Sequence, residues 1–287
     1  MTTSAGPGTR RTQGFGPSHP RFPPRWAERF GEDRHGIFAE FDIRGVTFAW
    51  RWIPPGRFLM GSPENEAGRH PSEGPQHEVT LTHGFWMGTT PVTVAQWAPM
   101  DPSRPSYPQG MLHVPKTEVS WADCRRYARA LSSMNEGLSA DLPTEAQWEY
   151  ACRAGSTGAF HDDSPCTVPV GLDPALDKLG WFDGNSGSRE QVVGQKRCNA
   201  WGLYDMHGNV QEWCRDAMRV YSDAAQWNPT GADPALLAQL GKCVLRGGSS
   251  SASAYRCRSS SREEVSCGLF GSSLGFRLVA THPFGAA

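Results

Sequence analysis

The chain carries almost no net charge: 28 Lys and Arg face 29 Asp and Glu, a formal −1 with its nine histidines neutral. A protein built to hold nucleic-acid phosphate or anionic lipid shows a basic excess, so neither partner is expected. Long hydrophobic runs are also missing. No stretch approaches the ~18 apolar residues of a membrane span, and residues 1–25 hold no apolar core of a secretion signal. These absences argue against membrane insertion and for a cytoplasmic location. Cys124, Cys152, Cys166, Cys198, Cys214, Cys243, Cys257 and Cys267 form no C-x-x-C pair, which disfavours a zinc ribbon or a thioredoxin-like motif. Thiols so scattered read as buried small apolar residues rather than a disulfide framework. Walker loops, dinucleotide glycine fingerprints and G-x-S-x-G elbows are absent, so nucleotide-dependent and hydrolase chemistry find no support.

What is plentiful is glycine, proline and tryptophan: 32, 23 and 11 residues in a chain of 287. Gly and Pro reach nearly a fifth of the chain, above the roughly 12% average yet below the roughly 25–30% of low-complexity sequence. Such a composition implies many turns, short elements and large indoles filling the space between them. Residues 1–36, rich in Arg, Pro, Gly and Ser, read as an irregular arm on the surface or on a partner. From Phe38 onward one domain is expected. Phe41, Ile43, Val46, Phe48 and Trp50 lead into Trp52-Ile53-Pro54-Pro55-Gly56 and then Arg57-Phe58-Leu59-Met60-Gly61, which read as a strand, a turn and a second strand, and His77–Thr82 alternates with period two as a further strand. Thr93-Val-Ala-Gln96, Ser120-Trp-Ala-Asp123 and Thr144-Glu-Ala-Gln147 each have the form of a capping box and so announce three helices. After Gly155 helical signals fade, with short strands expected at Cys243–Arg246 and Leu274–Val279.

Two polar clusters invite a metal assignment. His70, Glu73, His77 and Glu78 lack the spacing that puts two ligands on one helical face, and they read as a solvated loop. The segment Asn199–Trp213 mixes turn residues with Asp205, Asn209 and Glu212, oxygen donors of the kind a hard cation takes. The same side chains would serve equally to satisfy loop amides.

Six separated blocks are more specific. Phe58-Leu-Met-Gly-Ser62, Pro143-Thr-Glu-Ala-Gln-Trp-Glu-Tyr-Ala151, Asn199-Ala-Trp-Gly-Leu-Tyr-Asp-Met206, Gly208-Asn-Val-Gln-Glu-Trp213, Arg246-Gly-Gly-Ser249 and Leu274-Gly-Phe-Arg277 resemble the signature blocks of the formylglycine-generating-enzyme, or sulfatase-modifying-factor, family. They occur in that family's order over about residues 45–281. The resemblance implies an α+β, C-type-lectin-like fold of the formylglycine-generating-enzyme subclass, low in regular secondary structure, with few helices around short antiparallel strands. It also implies a structural calcium site to which Asn209 and Glu212 contribute, with Asn185 a candidate for a second.

The family's enzymology does not transfer intact. Its catalytic members bind copper through two cysteines, three and eight residues after the Gly-Gly-Ser serine; those places here hold Ala252 and Cys257. One thiolate does not make a soft two-thiolate Cu(I) site, so no copper is expected and no residue is assigned a catalytic role. Arg256-Cys-Arg-Ser259 resembles instead a scaffold motif of non-catalytic members. The related sulfoxide synthases add an H-x-x-x-H-x-E iron motif that is absent from this sequence.

Between Ser249 and Leu274 lie 24 residues that include nine serines. Many relatives place runs of Asn there, and Ser, Ala, Arg, Cys, Leu, Phe and Gly are all reachable by changing adenines in an Asn codon, although Glu263 and Glu264 are not. The pattern resembles the variable region of a diversity-generating retroelement, which randomises template adenines to alter a displayed lectin-type surface. Small polar residues with scattered aromatics also resemble an antibody paratope. The expected contacts to a protein or cell-surface ligand are Ser250, Ser251, Ala252, Ser253, Tyr255, Arg256, Ser261, Glu263, Ser266, Cys267, Leu269 and Phe270, on a monomer. The alternatives are an undiversified effector or binding module, and a copper-dependent oxidoreductase that would pair Cys257 with Cys267 or another thiol.

Overall fold

A computed structural model describes residues 22–101, 106–168, 170–230 and 241–281. Its strands are β1 (Arg29–Asp33), β2 (Gly36–Ile43), β3 (Val46–Ile53), β4 (Gly56–Met60), β5 (His77–Leu81), β6 (Phe85–Gly88), β7 (Ala140–Asp141), β8 (Gln211–Trp213), β9 (Gln226–Trp227), β10 (Lys242–Arg246), β11 (Arg262–Ser266), β12 (Leu274–Gly275) and β13 (Val279–Thr281). The α-helices are α1 (Val94–Trp97), α2 (Trp121–Met134), α3 (Glu145–Arg153) and α4 (Leu176–Leu179). Three sheets result, in the orders β1-β2-β3-β6-β13-β7, β11-β10-β8-β12 and β4-β5-β9. The first is antiparallel throughout, whereas β12 on β8 and β9 on β5 are parallel.

Local chemistry explains the elements that were expected. Arg44 and Gly45 both have positive φ between Ile43 and Val46, the backbone a two-residue hairpin turn requires, and this sets the β2–β3 register in which Phe41 faces and stacks on Phe48. All three capping boxes close reciprocally, at Thr93 with Gln96, Ser120 with Asp123 and Thr144 with Gln147. Each satisfies amides that a helix start leaves without partners. Helix α2 buries Cys124, Tyr127, Ala128 and Leu131 along one face. Helix α3 is buried nearly all round, which is why its charged residues end up inside the protein.

The domain starts earlier than its composition suggests. Residues 1–21 of the expected arm lie outside the described residues, but β1 pairs along β2 and Trp26 is buried against Phe41, Trp50 and Trp86. The polar look of β1 follows from its place as an edge strand with mostly exposed side chains. The expected strand Leu274–Val279 is two elements. The chain leaves the four-stranded sheet after β12 and enters the six-stranded sheet at β13, with Phe276 buried at the crossing.

Candidate functional site

The segment 250–273 starts from β10, whose last residue, Arg246, turns inward. Gly247 and Gly248 follow at φ +94° and +70°, and a Cβ on Gly248 would fall 2.5 Å from Cys257 Sγ. Only glycine permits this turn against the returning chain. The Arg246 guanidinium, wholly buried, ion-pairs with Glu149 and donates to three successive carbonyls: Ser259 at 3.0 Å, Ser260 at 2.8 Å and Ser261 at 2.6 Å. Arg258 lies between Glu66 and Glu73, 2.7 Å from the latter, and also binds the Gly68 carbonyl. Arg262 grips Glu145 through two bonds of 2.7 and 2.6 Å, binds the carbonyls of Ser72 and Arg219, and lies 4.0 Å over the Tyr221 ring. Glu149 completes the set by pairing with Arg153.

Four buried cations thus meet three buried carboxylates and the partly buried Glu66. Each charge has a partner and each guanidinium also holds main chain, the condition under which buried ions are tolerated. Burial alone would raise the Glu73 carboxyl, but its bonds to Arg258 overcome this and hold it below its usual range. These groups clamp residues 257–262 in the interior. The sequence reading missed the clamp because isolated Arg and Glu residues normally signal a solvated surface. The available signal was the spacing Glu145, Glu149, Arg153 along one helix, followed by four arginines within 17 residues, Arg246, Arg256, Arg258 and Arg262, of which all but Arg256 turn inward.

The clamp divides the expected contact residues. Ser251, Arg256, Ser266, Leu269 and Phe270 are exposed, and Ala252, Ser253, Tyr255 and Glu263 are partly so. Ser250 and Ser261 are buried, which corrects their placement on the ligand face. The Ser250 amide bonds the Asn209 carbonyl, and Ser261 follows the arginine clamp into the interior, lining a shallow cleft beside Arg256 and Glu263. Cys267 is not a free contact thiol; it is disulfide-bonded to Cys243. The expectation of eight unpaired thiols is corrected to six free cysteines and one bridge. Tyr255 lies over Gly68, where a Cβ would come within 2.3 Å of its ring.

Beyond the bridge the loop is fastened at several points. The Cys267 amide bonds the Gly241 carbonyl, Glu118 N bonds Gly271 O, and Gln211 N bonds Ser273 O. Between these anchors Leu269 and Phe270 stand 44% and 68% exposed, an apolar tip on a tethered loop.

The residues expected to hold calcium each make hydrogen bonds within the protein. Asn209 Oδ1 accepts from Gln191 N at 2.9 Å, and Asn185 Oδ1 accepts from Phe182 N at 2.9 Å. Glu212 is neutralised by Arg277 through two bonds of 2.7 Å and accepts from Trp148 Nε1. In this structure these oxygens serve loop amides, an indole and a guanidinium. Among the described residues no group of three or more His, Cys, Asp or Glu could hold a metal ion. Asp205 is different: burial pushes its carboxyl up to about 6, with Gly194 N and Asn209 Nδ2 as its donors. At the positions where catalytic relatives carry copper ligands, Ala252 has no thiol, and burial pushes the wholly buried Cys257 thiol up.

Short strands, sparse helices and long ordered loops define a C-type-lectin-like α+β domain of the formylglycine-generating-enzyme subclass. The sequence pattern of the sulfatase-modifying factor enzyme 1-like domain matches residues 47–282, and the chain belongs to that family. Formylglycine-generating enzyme of Mus musculus is 29% identical over 72% of this chain and 54% of its own length. That of Streptomyces coelicolor is 34% identical over 57% of this chain and 51% of its own. The chain spans only 37–63% of the length of the first curated relatives it matches. Among solved structures, Treponema denticola variable protein 1 superimposes with a TM-score of 0.69 at 24% identity, covering 86% of this chain and 99% of that one. PvdO from Pseudomonas aeruginosa gives a TM-score of 0.65 at 26% identity, covering 89% and 98%.

Proposed function

We propose that this chain is a non-catalytic binding protein that displays a diversified surface, the product of a diversity-generating retroelement, for a protein or cell-surface ligand. The observation that carries this reading is the division of residues 250–273. Buried ion pairs fix the middle of the segment, while Ser251, Arg256, Ser266, Leu269 and Phe270 remain exposed around it. A scaffold of that kind allows outward side chains to change without unfolding the domain. The likeness to a solved variable protein supports the scaffold's suitability for display.

The neighbouring DNA tests the reading. It predicts a reverse-transcriptase gene and an imperfect repeat that differs from codons 250–273 mainly at adenines, concentrated at the exposed positions. A locus without such a gene and repeat would defeat it. The enzyme relatives favour a second reading, a copper-dependent oxidoreductase, which requires thiolate-dependent copper binding. Anaerobic Cu(I) titration that detects no such binding removes that alternative.

A further inference from the structure

A second cluster of chemically active side chains lies where the β1–β2 turn meets the Asn199 loop. Cys198 Sγ stands 3.6 Å from His35 Nε2, within hydrogen-bonding reach for sulfur. The other ring nitrogen, Nδ1, lies 3.2 Å from the Ala200 carbonyl, and Arg34 Nε is 3.0 Å from Nε2. The partners determine the tautomer. A carbonyl can only accept, so Nδ1 carries the proton; a guanidinium N–H can only donate, so Nε2 presents its lone pair. The thiol is within reach of the same lone pair, which becomes its base when the exposed Arg34 side chain swings away. A thiol, a base within reach and a third group orienting the base constitute an activated-nucleophile arrangement.

Tyr204 lies beside Cys198, and burial pushes its phenol up. Arg51 is held in place by two bonds of 2.8 Å to Asp33. Gly202, at φ +75°, fits closely against both Arg51 and His35, where a Cβ would come within 2.8 and 3.1 Å of their atoms. Access also singles out this thiol: of the six free cysteines, Cys198 is partly exposed and the other five are buried.

We propose that Cys198 is a thiol-modification site, with His35 as its base, that reacts with low-molecular-weight disulfides. The Cys198 proton passes to His35 Nε2, and the thiolate attacks one sulfur of the disulfide. A new S–S bond to Cys198 forms as the original one breaks, and the departing thiolate takes the proton from His35. The incoming disulfide is the oxidant, so the exchange balances. This site is independent of the ligand face.

The test uses the full folded chain without added reductant at neutral pH, with the aromatic disulfide DTNB as probe. One equivalent of thionitrobenzoate should appear rapidly, and peptide mass spectrometry after reaction with oxidised glutathione should place the mixed disulfide on Cys198. The remaining five free thiols should react only after denaturation. Cys198→Ser should remove the fast equivalent, and His35→Gln should slow it by about tenfold or more with an unchanged melting temperature. Gly202→Ala, which crowds His35, provides a second slowed variant that retains both reacting groups. Absence of a fast equivalent in the wild type, its assignment to another cysteine, or an undiminished rate in His35→Gln would overturn the proposal.

Discussion

Residues 257–262 and residues 266–270 belong to one continuous segment, yet they are governed by different physics. In the first, Arg258 and Arg262 are enclosed by Glu66, Glu73 and Glu145, and Arg246 binds the carbonyls of the three serines between them. In the second, Leu269 and Phe270 project from a loop held by its main chain and by the Cys243–Cys267 bridge. Serine is common to both, but Ser259 and Ser260 are wholly buried while Ser266 is exposed. Residue type alone therefore says little about which positions can vary. The direction of the neighbouring charged side chains decides.

The contrast can be broken most severely at the clamp. Arg262→Ala leaves the buried Glu145 with only Arg246, 3.9 Å away, as a cation and should cost about 3–5 kcal/mol, read from urea unfolding. The double change Arg262→Met with Glu145→Met should recover much of that loss, because well-packed apolar groups replace a matched pair. Next, replacing Cys243 and Cys267 together by Ser should cost about 2–4 kcal/mol and raise hydrogen exchange at residues 268–271. Ser261→Phe overfills an interior position and should cost about 1–3 kcal/mol by the same unfolding measurement.

A pH experiment examines the floor beneath the clamped stretch. His207 bonds the Cys257 carbonyl at 2.7 Å, and the His161 ring stacks on it at 4.9 Å. Burial lowers His161 from the ordinary 6.5 to about 4, with the Asp162 charge opposing. The unfolded chain therefore takes up this proton first. The stabilisation is complete above pH 6.5 and is lost as pH falls toward 4, so His161→Gln should show a shallower fall in melting temperature across that window. The smallest effect belongs to the display loop. Phe270→Ser should change stability by no more than about 0.5 kcal/mol while weakening any ligand that uses the apolar tip.

Much of the fold was legible because its signals are local. Each capping box occupies four consecutive residues, and the fit of Thr93, Ser120 and Thr144 to their helices needs no distant partner. The clamp was illegible for the opposite reason, since Arg258 meets Glu66 and Glu73 across 192 and 185 positions of sequence. The same limit explains the buried Ser250 and Ser261, whose neighbours are assembled by tertiary structure. It explains the oxygen donors of Asn185, Asn209 and Glu212 as well, which have cation-like ligand chemistry but are committed to Phe182, Gln191 and Arg277. The exposed part of the ligand face was easier to anticipate, because a loop between strands normally reaches solvent.

The most direct test of this account is a scan of residues 250–273, substituting each position by several residue types and measuring stability for every variant. The account predicts two separated groups: substitutions at 257–262 lose stability heavily, and those at 251, 256, 266, 269 and 270 stay close to the parent. A scan in which the exposed positions are as costly as the clamped ones would contradict it.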